Sequence, residues 1–464
     1  MFANETWYEK YNQDNADPQS QNKLKVPEDI LLISNSSLPR ATLIACGGFD
    51  ENMPAREDYE LGLRLGKMGV PFHYLPSAVA YEFFVKPSGH FLHNDGEIYG
   101  RTEVLLCRKH PDYRPRSELL AGMGRTVWWK QFLRRIVLQF PVSPAHLLTP
   151  PIWVCEKLCQ FPVMQKAGLR LLGIGRRIEE FRAALHEAGS WEDFDREFAM
   201  RLPVLLYHHV GPARPGTSPS MTVSPERFER QVRWLALRGY HGIRPADWFR
   251  WRREGKGLPE KPVLLTFDDA YAELVEHAFP VLRRYGFQAA VYVVTGQLGG
   301  TNAWDEACGA GTLRLMTAEQ IRFWATQGIE FGAHSRTHAD LTMLSAHELS
   351  EEVVGSGKDL ESILGSRVAS FAYPYGFHNQ AVDDCVRGAF DLAFVAGVEA
   401  EGLNHLLTDP HLLRRTMVQT SDSVIDVECR ARWGLSPIQR LRTRLRLRSR
   451  FQGATHSMLG RNKP

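Results

Sequence analysis

Four polar clusters between residues 207 and 376 of this 464-residue chain each follow directly after a short apolar run. They are rich in histidine, aspartate and tyrosine, side chains that bind metals or transfer protons. If the apolar runs are parallel strands of an α/β barrel, their C-terminal ends converge on one mouth, where the clusters would meet. The clusters are Tyr207-His208-His209, Asp268-Asp269, His334-Ser335-Arg336-Thr337-His338 and Tyr373-Pro374-Tyr375-Gly376.

The clusters contain a three-ligand metal pattern. His334 and His338 are close in sequence, and one carboxylate of the Asp268-Asp269 pair can join them from another strand end. Three protein ligands leave one position open for water or substrate, which is typical of a catalytic metal. Two histidines favour zinc, with cobalt, nickel or iron as alternatives. The ion would polarise a carbonyl and acidify a water molecule, and the other aspartate would be available to accept the proton.

Three motifs resemble the polysaccharide deacetylases of carbohydrate esterase family 4, also called the NodB-homology domain. They are Thr266-Phe267-Asp268-Asp269, His334-x-x-x-His338 and Phe371-Ala372-Tyr373-Pro374-Tyr375-Gly376. The resemblance runs from the opening Leu205–Val210 to the closing Leu413-Arg414-Arg415. It implies metal-dependent hydrolysis of N- or O-acetyl groups on a polysaccharide or oligosaccharide.

The resemblance also implies roles for individual residues. Asp268 would be the general base, while Asp269, His334 and His338 would bind a divalent metal, with zinc as the first choice. The backbone N–H of Tyr375 would help to bind the developing oxyanion, a contribution of about 3 kcal/mol.

Two features depart from the family pattern. Many members carry an arginine where this chain has Ala372, and the Ala-Tyr variant looks like the subgroup that acts on poly-N-acetylglucosamine or similar polymers. The family also commonly supplies a late histidine as the general acid. His405 and His411 lie near the expected place but match that motif poorly, so the acid is unassigned. His208 and His209 remain open between lining the pocket and a structural role.

The elements that must position these side chains alternate regularly. Seven apolar runs without strict polar alternation predict parallel strands that are buried on both faces. Amphipathic segments such as Pro225–Arg238 and Ala346–Leu364 lie between them. We therefore expect an α/β fold with a distorted (β/α)7-type barrel. The predicted strands are Pro203–Leu206, Val263–Phe267, Ala290–Val294, Ile329–Ala333, Ala369–Ala372, Leu392–Ala396 and Leu413–Val418.

Residues 1–118 resemble the second half of a glycosyltransferase family 2 domain of the GT-A fold. The family's nucleotide-binding half, which ends in an Asp-x-Asp metal motif, has no counterpart before Asn35. We expect a partial GT-A-like α/β block, either a truncated product of a fused gene or a relic. Asp58 matches the family's base, but Glu57-Asp58 would equally suit a helix N-terminus, where acidic side chains complement the dipole. The matching segments are Asn35–Arg40, Gly47–Glu51, Arg56–Leu65 and Gly69–Pro76.

Composition places the chain among ordinary globular proteins. The apolar fraction is 44%, the charged fraction is 23% and the net charge is +3, which argues against extensive disorder and against a nucleic-acid partner. The seven cysteines show no disulfide pattern. The sequence shows neither a signal peptide nor an apolar stretch of about 18 residues, so we expect a cytoplasmic, bacterial-type protein. The expected domains are the block at 1–118, a helical connector at 119–200, the deacetylase domain at 201–420 and a basic tail at 421–464.

Peripheral membrane contact is the alternative to a purely cytoplasmic location. Val127–Leu138 mixes aromatic and basic residues at roughly helical spacing, as in a helix at a membrane surface. Packing of that helix on the first block explains the pattern more simply. Arginines alternate by two from residue 440 to residue 450, which predicts a disordered basic tail.

Three functions are consistent with these motifs. The first is an acetyl hydrolase whose partner is an acetylated carbohydrate. The second is a non-catalytic carbohydrate-binding or scaffold protein, which the unassigned acid would explain. The third is the remnant of a bifunctional glycosyltransferase–deacetylase, against which the absent nucleotide-binding half argues.

Overall fold

The computed structural model describes residues 36–73, 88–117, 143–158, 160–212, 221–255, 257–308, 312–397 and 402–436. The helix predicted at Val127–Leu138, the arginine-rich stretch from residue 440 and the last residues of Gly69–Pro76 lie outside these ranges. The chain divides into two compact units, residues 1–199 with 253–255 and residues 200–252 with 256–464. Within the described ranges, no helix combines the length and the apolar character that a membrane span requires.

The described part of the first unit consists mainly of helices. Residues on both sides of the expected boundary at 118 belong to this one unit, because Gly96–Lys109 packs along Pro162–Ala188. This packing is close, since a Cβ atom at Gly100 would lie 2.1 Å from the backbone oxygen of Glu180. The helices are Arg40–Ala45, Glu57–Lys67, Ser88–His90, Gly96–Lys109, Thr149–Lys157, Pro162–Ala188 and Trp191–Phe198, with a π-helical turn at Phe91–Asp95 and 3₁₀ turns at Pro111–Arg116 and Pro144–Leu148.

The acidic pair of the glycosyltransferase-like segment lies at the start of a helix. Glu57 and Asp58 occupy the first turn of Glu57–Lys67, where their charges complement the positive end of the helix dipole. Glu60 follows them and is buried, and its carboxylate accepts hydrogen bonds from the Arg64 guanidinium at 2.7 to 3.0 Å. The helix therefore accounts for its acidic residues without a catalytic role.

The second unit contains a barrel of parallel strands. In chain order they are β1 Val204–Tyr207, β2 His209–Val210, β3 Thr222–Val223, β4 His241–Gly242, β5 Pro262–Phe267, β6 Ala289–Val293, β7 Ile329–Ala333, β8 Ser370–Ala372, β9 Leu392–Val395, β10 Leu413–Arg414 and β11 Thr416–Met417. The main sheet has the order β10-β9-β8-β7-β6-β5-β1-β11, and its pairs are parallel. Only Arg415 separates β10 from β11, so both edges of the sheet belong to one interrupted strand. The barrel is nearly closed and has seven positions, which confirms the predicted α/β fold.

The barrel strands are buried because helices cover the sheet. Every residue of β1, β5, β6, β8 and β9 is buried, in agreement with the continuous apolar runs in the sequence. The helices of the unit are Pro225–Leu237, Pro245–Glu254, Leu274–His277, Phe279–Arg284, Ala318–Thr326, Ala346–Leu364, Gln380–Ala389 and Val424–Trp433, with 3₁₀ turns at Thr295–Gln297, Ala303–Cys308, Leu341–Met343 and Pro374–Gly376.

The barrel unit extends beyond residue 420, where the basic tail was expected to begin. Ser423 caps Val424–Trp433, and it forms a capping box with Asp426. Val427 and Ala431 of this helix belong to the apolar core of the barrel. The expected boundary was therefore too early, because this helix buries apolar residues that the barrel needs.

Strand register brings the polar clusters to one edge of the sheet. Tyr207 of β1 pairs with Phe267 of β5, and Phe267 pairs with Val291 of β6. Further round the barrel, Ala333 of β7 pairs with Phe371 of β8. Because these strands are parallel, the residues that follow them meet at the same mouth.

Candidate active site

Asp269, His334 and His338 come together at the mouth of the barrel. One ligand atom from each residue lies within 4.8 Å of the other two. Asp269 Oδ1 is 3.5 Å from His338 Nε2 and 3.8 Å from His334 Nε2. All three side chains are buried. The structure thus brings together the three residues that the sequence predicts as metal ligands.

The donor set of this trio fits a divalent cation. His334 Nδ1 donates a hydrogen bond to the carbonyl oxygen of Ala372 at 2.7 Å, which leaves the Nε2 lone pair directed at the trio. Asp269 Oδ1 is buried and has no hydrogen-bond partner among the described residues. A buried carboxylate oxygen without a partner is unfavourable, and a bound cation would satisfy it.

Burial has the largest effect on the pKa values of Asp269, His334 and His338. It raises the pKa of Asp269 well above its usual range, and the neighbouring Asp268 charge raises it further. It lowers the pKa of His334, and it lowers that of His338 to about 2 with the help of His334. The histidines are therefore neutral, which is the form that binds metals. A cation would stabilise the ionised form of Asp269 and reverse the direction of its shift.

Asp268 is held by Arg415, a residue of the closing motif to which the sequence assigned no role. The Arg415 guanidinium donates to both carboxylate oxygens, and both side chains are buried. Burial alone would raise the pKa of Asp268, but the charge of Arg415 outweighs it and holds that pKa at about 2. Asp268 is therefore ionised at neutral pH, with Oδ2 3.8 Å from His334 Nε2. The two arginines inside the predicted strand Leu413–Val418 were the available signal for a buried charge there.

The adjacent histidines His208 and His209 have different environments. His208 directly follows β1 beside Asp268 and interacts electrostatically with it, and its buried Nδ1 has no hydrogen-bond partner among the described residues. His209 instead contacts Glu273 through Nε2 and Thr222 through Nδ1, the latter at 3.3 Å. His208 therefore lines the mouth, whereas His209 holds neighbouring segments together.

The two late histidines do not reach the mouth. His411 Nε2 is 2.9 Å from the carbonyl oxygen of Phe390, which precedes β9, and His411 itself precedes β10. His405 follows Asn404, which pairs with Leu202 before β1. Both histidines therefore lie at the N-terminal ends of the strands, opposite Asp268. Neither can act as the acid at this site.

Backbone strain is concentrated around the trio. The described residues other than glycine with positive φ are Arg56, Asp269, Ala270, Ser335, His338 and Tyr375, and all but the first belong to the loops of the mouth. Left-handed backbone costs about 1–3 kcal/mol for a residue with a side chain and persists where the surroundings enforce it. The loops at the mouth are thus held in conformations that local sequence preference disfavours.

Aromatic rings surround His338. The Trp304 ring stacks on His338 with centroids 4.8 Å apart and planes 18° apart. The Tyr375 ring meets His338 edge-on at 4.5 Å, and its side chain is 48% exposed. Gly376 fixes this turn, because its φ is 76° and a Cβ atom there would lie 2.2 Å from the Ala396 carbonyl oxygen. Trp304 and Tyr375 therefore flank the trio, and the Tyr375 side chain extends from it into solvent.

Comparison with known proteins assigns this mouth to a family. The family model for polysaccharide deacetylases matches residues 255–389, a range that contains Asp268, the trio and Tyr375. Residues 255–389 form a polysaccharide deacetylase domain. The match does not extend to residues 1–118, whose resemblance to glycosyltransferases stays a prediction.

Two curated relatives of the deacetylase domain are bacterial. YxkH of Bacillus subtilis (strain 168), a polysaccharide deacetylase by description, is 26% identical over 201 residues, which are 43% of this chain and 65% of the relative. The poly-β-1,6-N-acetyl-D-glucosamine N-deacetylase of Staphylococcus aureus (strain MRSA252) is 25% identical over 167 residues, which are 34% of this chain and 55% of that protein. The chain thus spans less than two thirds of the length of either relative.

Solved structures of deacetylases align with about half of the chain. The Streptococcus pyogenes deacetylase PplD in complex with acetate is 23% identical with a TM-score of 0.43, covering 49% of this chain and 97% of that one. IcaB from Ammonifex degensii is 25% identical with a TM-score of 0.42, covering 50% of this chain and 97% of that one.

Proposed function

We propose that the barrel hydrolyses acetyl groups from an N-acetylated polysaccharide. The observation that carries the proposal is the buried Asp269–His334–His338 trio, with ionised Asp268 beside it at the mouth of a deacetylase domain. The trio would hold a divalent cation, with zinc as the first choice for one carboxylate and two imidazoles. When bound, such an ion polarises the acetyl carbonyl and lowers the pKa of a water molecule.

The protein's own groups handle the proton transfers. Asp268 is ionised and lies beside the trio, so it accepts the proton of the attacking water. Water oxygen bonds to the acetyl carbon, the carbon–nitrogen bond breaks, and the leaving nitrogen takes up a proton. The Tyr375 N–H stabilises the oxyanion that forms between these two events.

His208 is the proposed proton donor to the leaving nitrogen. It lines the mouth beside Asp268 and is half-buried. Burial lowers the pKa of His208 to about 4 in the resting site, although the Asp268 charge opposes that shift. Because His208 is neutral in the resting site, it must first receive the proton that Asp268 takes from the water, and negative charge developing on the substrate favours this transfer. His208 then donates this proton to the leaving nitrogen as the carbon–nitrogen bond breaks.

A polymer of N-acetylglucosamine is the proposed substrate. A curated relative carries the name of a poly-β-1,6-N-acetyl-D-glucosamine N-deacetylase, and this chain has Ala372 where many family members have arginine. Trp304 and Tyr375 offer apolar ring faces against which sugar rings can pack. An amide is therefore preferred to an ester as the scissile group.

Acetate release tests this proposal. The full chain is incubated with β-1,6- and β-1,4-linked N-acetylglucosamine oligomers and with O-acetylated xylan, with and without a chelator. We expect release from the β-1,6 oligomers, loss with chelator, and a fall of at least about 100-fold in Asp269→Asn. Asp384→Asn, at an exposed position on Gln380–Ala389, serves as the matched control. Acetate release that is unchanged in Asp269→Asn would contradict the proposal. Release from O-acetylated xylan alone would show that the enzyme cleaves an ester and not an amide.

A further inference from the structure

A second group of metal-ligating side chains lies entirely within the first unit. His93, His146 and Glu179 each offer one ligand atom, and these atoms lie within 4.8 Å of one another. Glu179 is buried with 8% exposure, and its Oε1 lies 2.7 Å from His93 Nδ1. The rings of His93 and His146 are 4.2 Å apart, with planes 38° apart. One carboxylate and two imidazoles thus converge on one point.

Three different helical segments bring these residues together. His93 lies in the π-helical turn Phe91–Asp95, and such turns occur frequently at functional sites. His146 lies in the 3₁₀ turn Pro144–Leu148, which Ser143 caps. Glu179 lies within the long helix Pro162–Ala188. The convergence therefore arises from tertiary packing and not from one local motif.

Close packing holds the three segments in place. A Cβ atom at Gly96 would lie 2.7 Å from Glu179 Cβ, and one at Gly175 would lie 2.5 Å from Leu92 Cδ1. Leu92 belongs to a small buried apolar cluster with Phe91 and two residues of the neighbouring helices. The ligand atoms are thus mounted on a packed framework, which a metal site needs for a defined geometry.

The chemistry of the donor set suits a divalent transition metal. Two histidines and one glutamate form the ligand set of known zinc sites with an open fourth position. His146 is exposed, so water or another small ligand can reach that position.

We propose that His93, His146 and Glu179 form a second divalent-metal site, whose donor set suits zinc. The bound ion joins the π-helical turn to the long helix Pro162–Ala188. This proposal is independent of the deacetylase function, because it involves none of the residues at the mouth of the barrel.

Metal stoichiometry tests the proposal in the full chain. The Asp269→Asn variant removes the barrel trio from the count, and the chain is stripped with a chelator, loaded with Zn²⁺ and dialysed. We expect one zinc equivalent to remain, and a further His146→Ala or Glu179→Gln substitution to weaken its affinity by roughly 100-fold. His186→Ala, at an exposed position on the same helix as Glu179, is the control and should still bind one zinc equivalent.

Hydrogen exchange separates a metal site from a plain His93–Glu179 ion pair. In the Asp269→Asn chain, Zn²⁺ should slow amide exchange in residues 88–109 and 162–188, and His146→Ala should abolish this protection. Because His146 is exposed, its replacement should leave the far-UV circular dichroism unchanged. An Asp269→Asn chain that binds no zinc, or equal protection in His146→Ala, would overturn the proposal. If the wild-type chain binds zinc and the Asp269→Asn chain does not, the zinc lies in the barrel trio, and that result supports the barrel site alone.

Discussion

The Arg415 guanidinium closes on the Asp268 carboxylate with two hydrogen bonds, from Nη1 to Oδ1 at 2.6 Å and from Nη2 to Oδ2 at 2.8 Å. Arg415 occupies the single position between β10 and β11, where the last barrel strand is interrupted. The residue that separates the two edges of the sheet thus also orients the proposed base. The position where the barrel closes and the contact that orients Asp268 therefore belong to the same residue.

Replacing Arg415 should destabilise the barrel strongly. Arg415→Met leaves the Asp268 charge buried without its partner, which costs about 3–5 kcal/mol. A second substitution, Asp268→Asn, removes that charge and should restore much of the free energy of unfolding without restoring acetate release. Urea unfolding measures the first effect and acetate release the second. Arg414→Met, at the adjacent exposed position, is the control and should change neither quantity appreciably. Equal stability of Arg415→Met and the wild type would show that the ion pair is not needed.

The turn that carries Tyr375 should tolerate no side chain at Gly376. Gly376→Ala would place a Cβ atom 2.2 Å from the Ala396 carbonyl oxygen, so the turn must shift. A shift of about 1 Å at the proposed oxyanion donor should lower kcat by about 100-fold. Gly388→Ala is the control, because nothing lies within 4 Å of its added Cβ atom. In this helical position alanine should stabilise the protein by about 0.5–1 kcal/mol. If Gly376→Ala keeps the wild-type kcat, the turn that carries Tyr375 does not contribute to catalysis.

His208 should affect turnover without affecting metal content. His208→Asn removes the proposed proton donor while the trio stays intact, so kcat should fall by about 10²–10⁴-fold. Zinc stoichiometry should match that of the wild type. Substrates with a better leaving group than an amine, such as an aryl acetate, should be less sensitive to the substitution. An equal loss for both substrate classes would assign His208 a structural role instead.

The sequence predicted those features that follow from local residue patterns. The seven strands followed from continuous apolar runs, and the convergence of Asp269, His334 and His338 followed from the parallel arrangement of those strands. The pairing of Asp268 with Arg415 was not predicted, because the local pattern does not show which of the adjacent Arg414 and Arg415 turns into the barrel or which residue it meets there.

Other features depended on information that the local pattern does not contain. Whether His208 or His209 faces the mouth is decided by the end of β1, which an adjacent pair of histidines does not reveal. The helix Val424–Trp433 had a local signal, the Ser423–Asp426 capping box, but the local pattern does not show that Val427 and Ala431 pack into the core of the barrel. The His93–His146–Glu179 group comes from three separate segments, and no spacing rule connects them.

Glu330 should make the stability of the barrel depend on pH. Its Oε2 accepts a hydrogen bond from the Ala246 N–H at 3.1 Å, and burial raises the pKa of Glu330 to about 7. That value exceeds the usual 4.5, so the folded state binds more protons than the unfolded state between these two pH values. The free energy of unfolding should therefore fall as pH rises through this window, by about 1–3 kcal/mol.

Glu330→Gln should remove the part of the pH dependence of stability that Glu330 contributes. The amide keeps an oxygen for the Ala246 N–H but cannot ionise, so the fall in stability between about pH 5 and about pH 8 should become smaller by the contribution of Glu330. Urea unfolding at both pH values measures the difference. Glu276→Gln, at an exposed position, controls for the loss of a surface carboxylate and should keep the wild-type slope. If Glu330→Gln also keeps that slope, then Glu330 does not remain protonated in the folded barrel, and solvent or Arg244 must stabilise its charge.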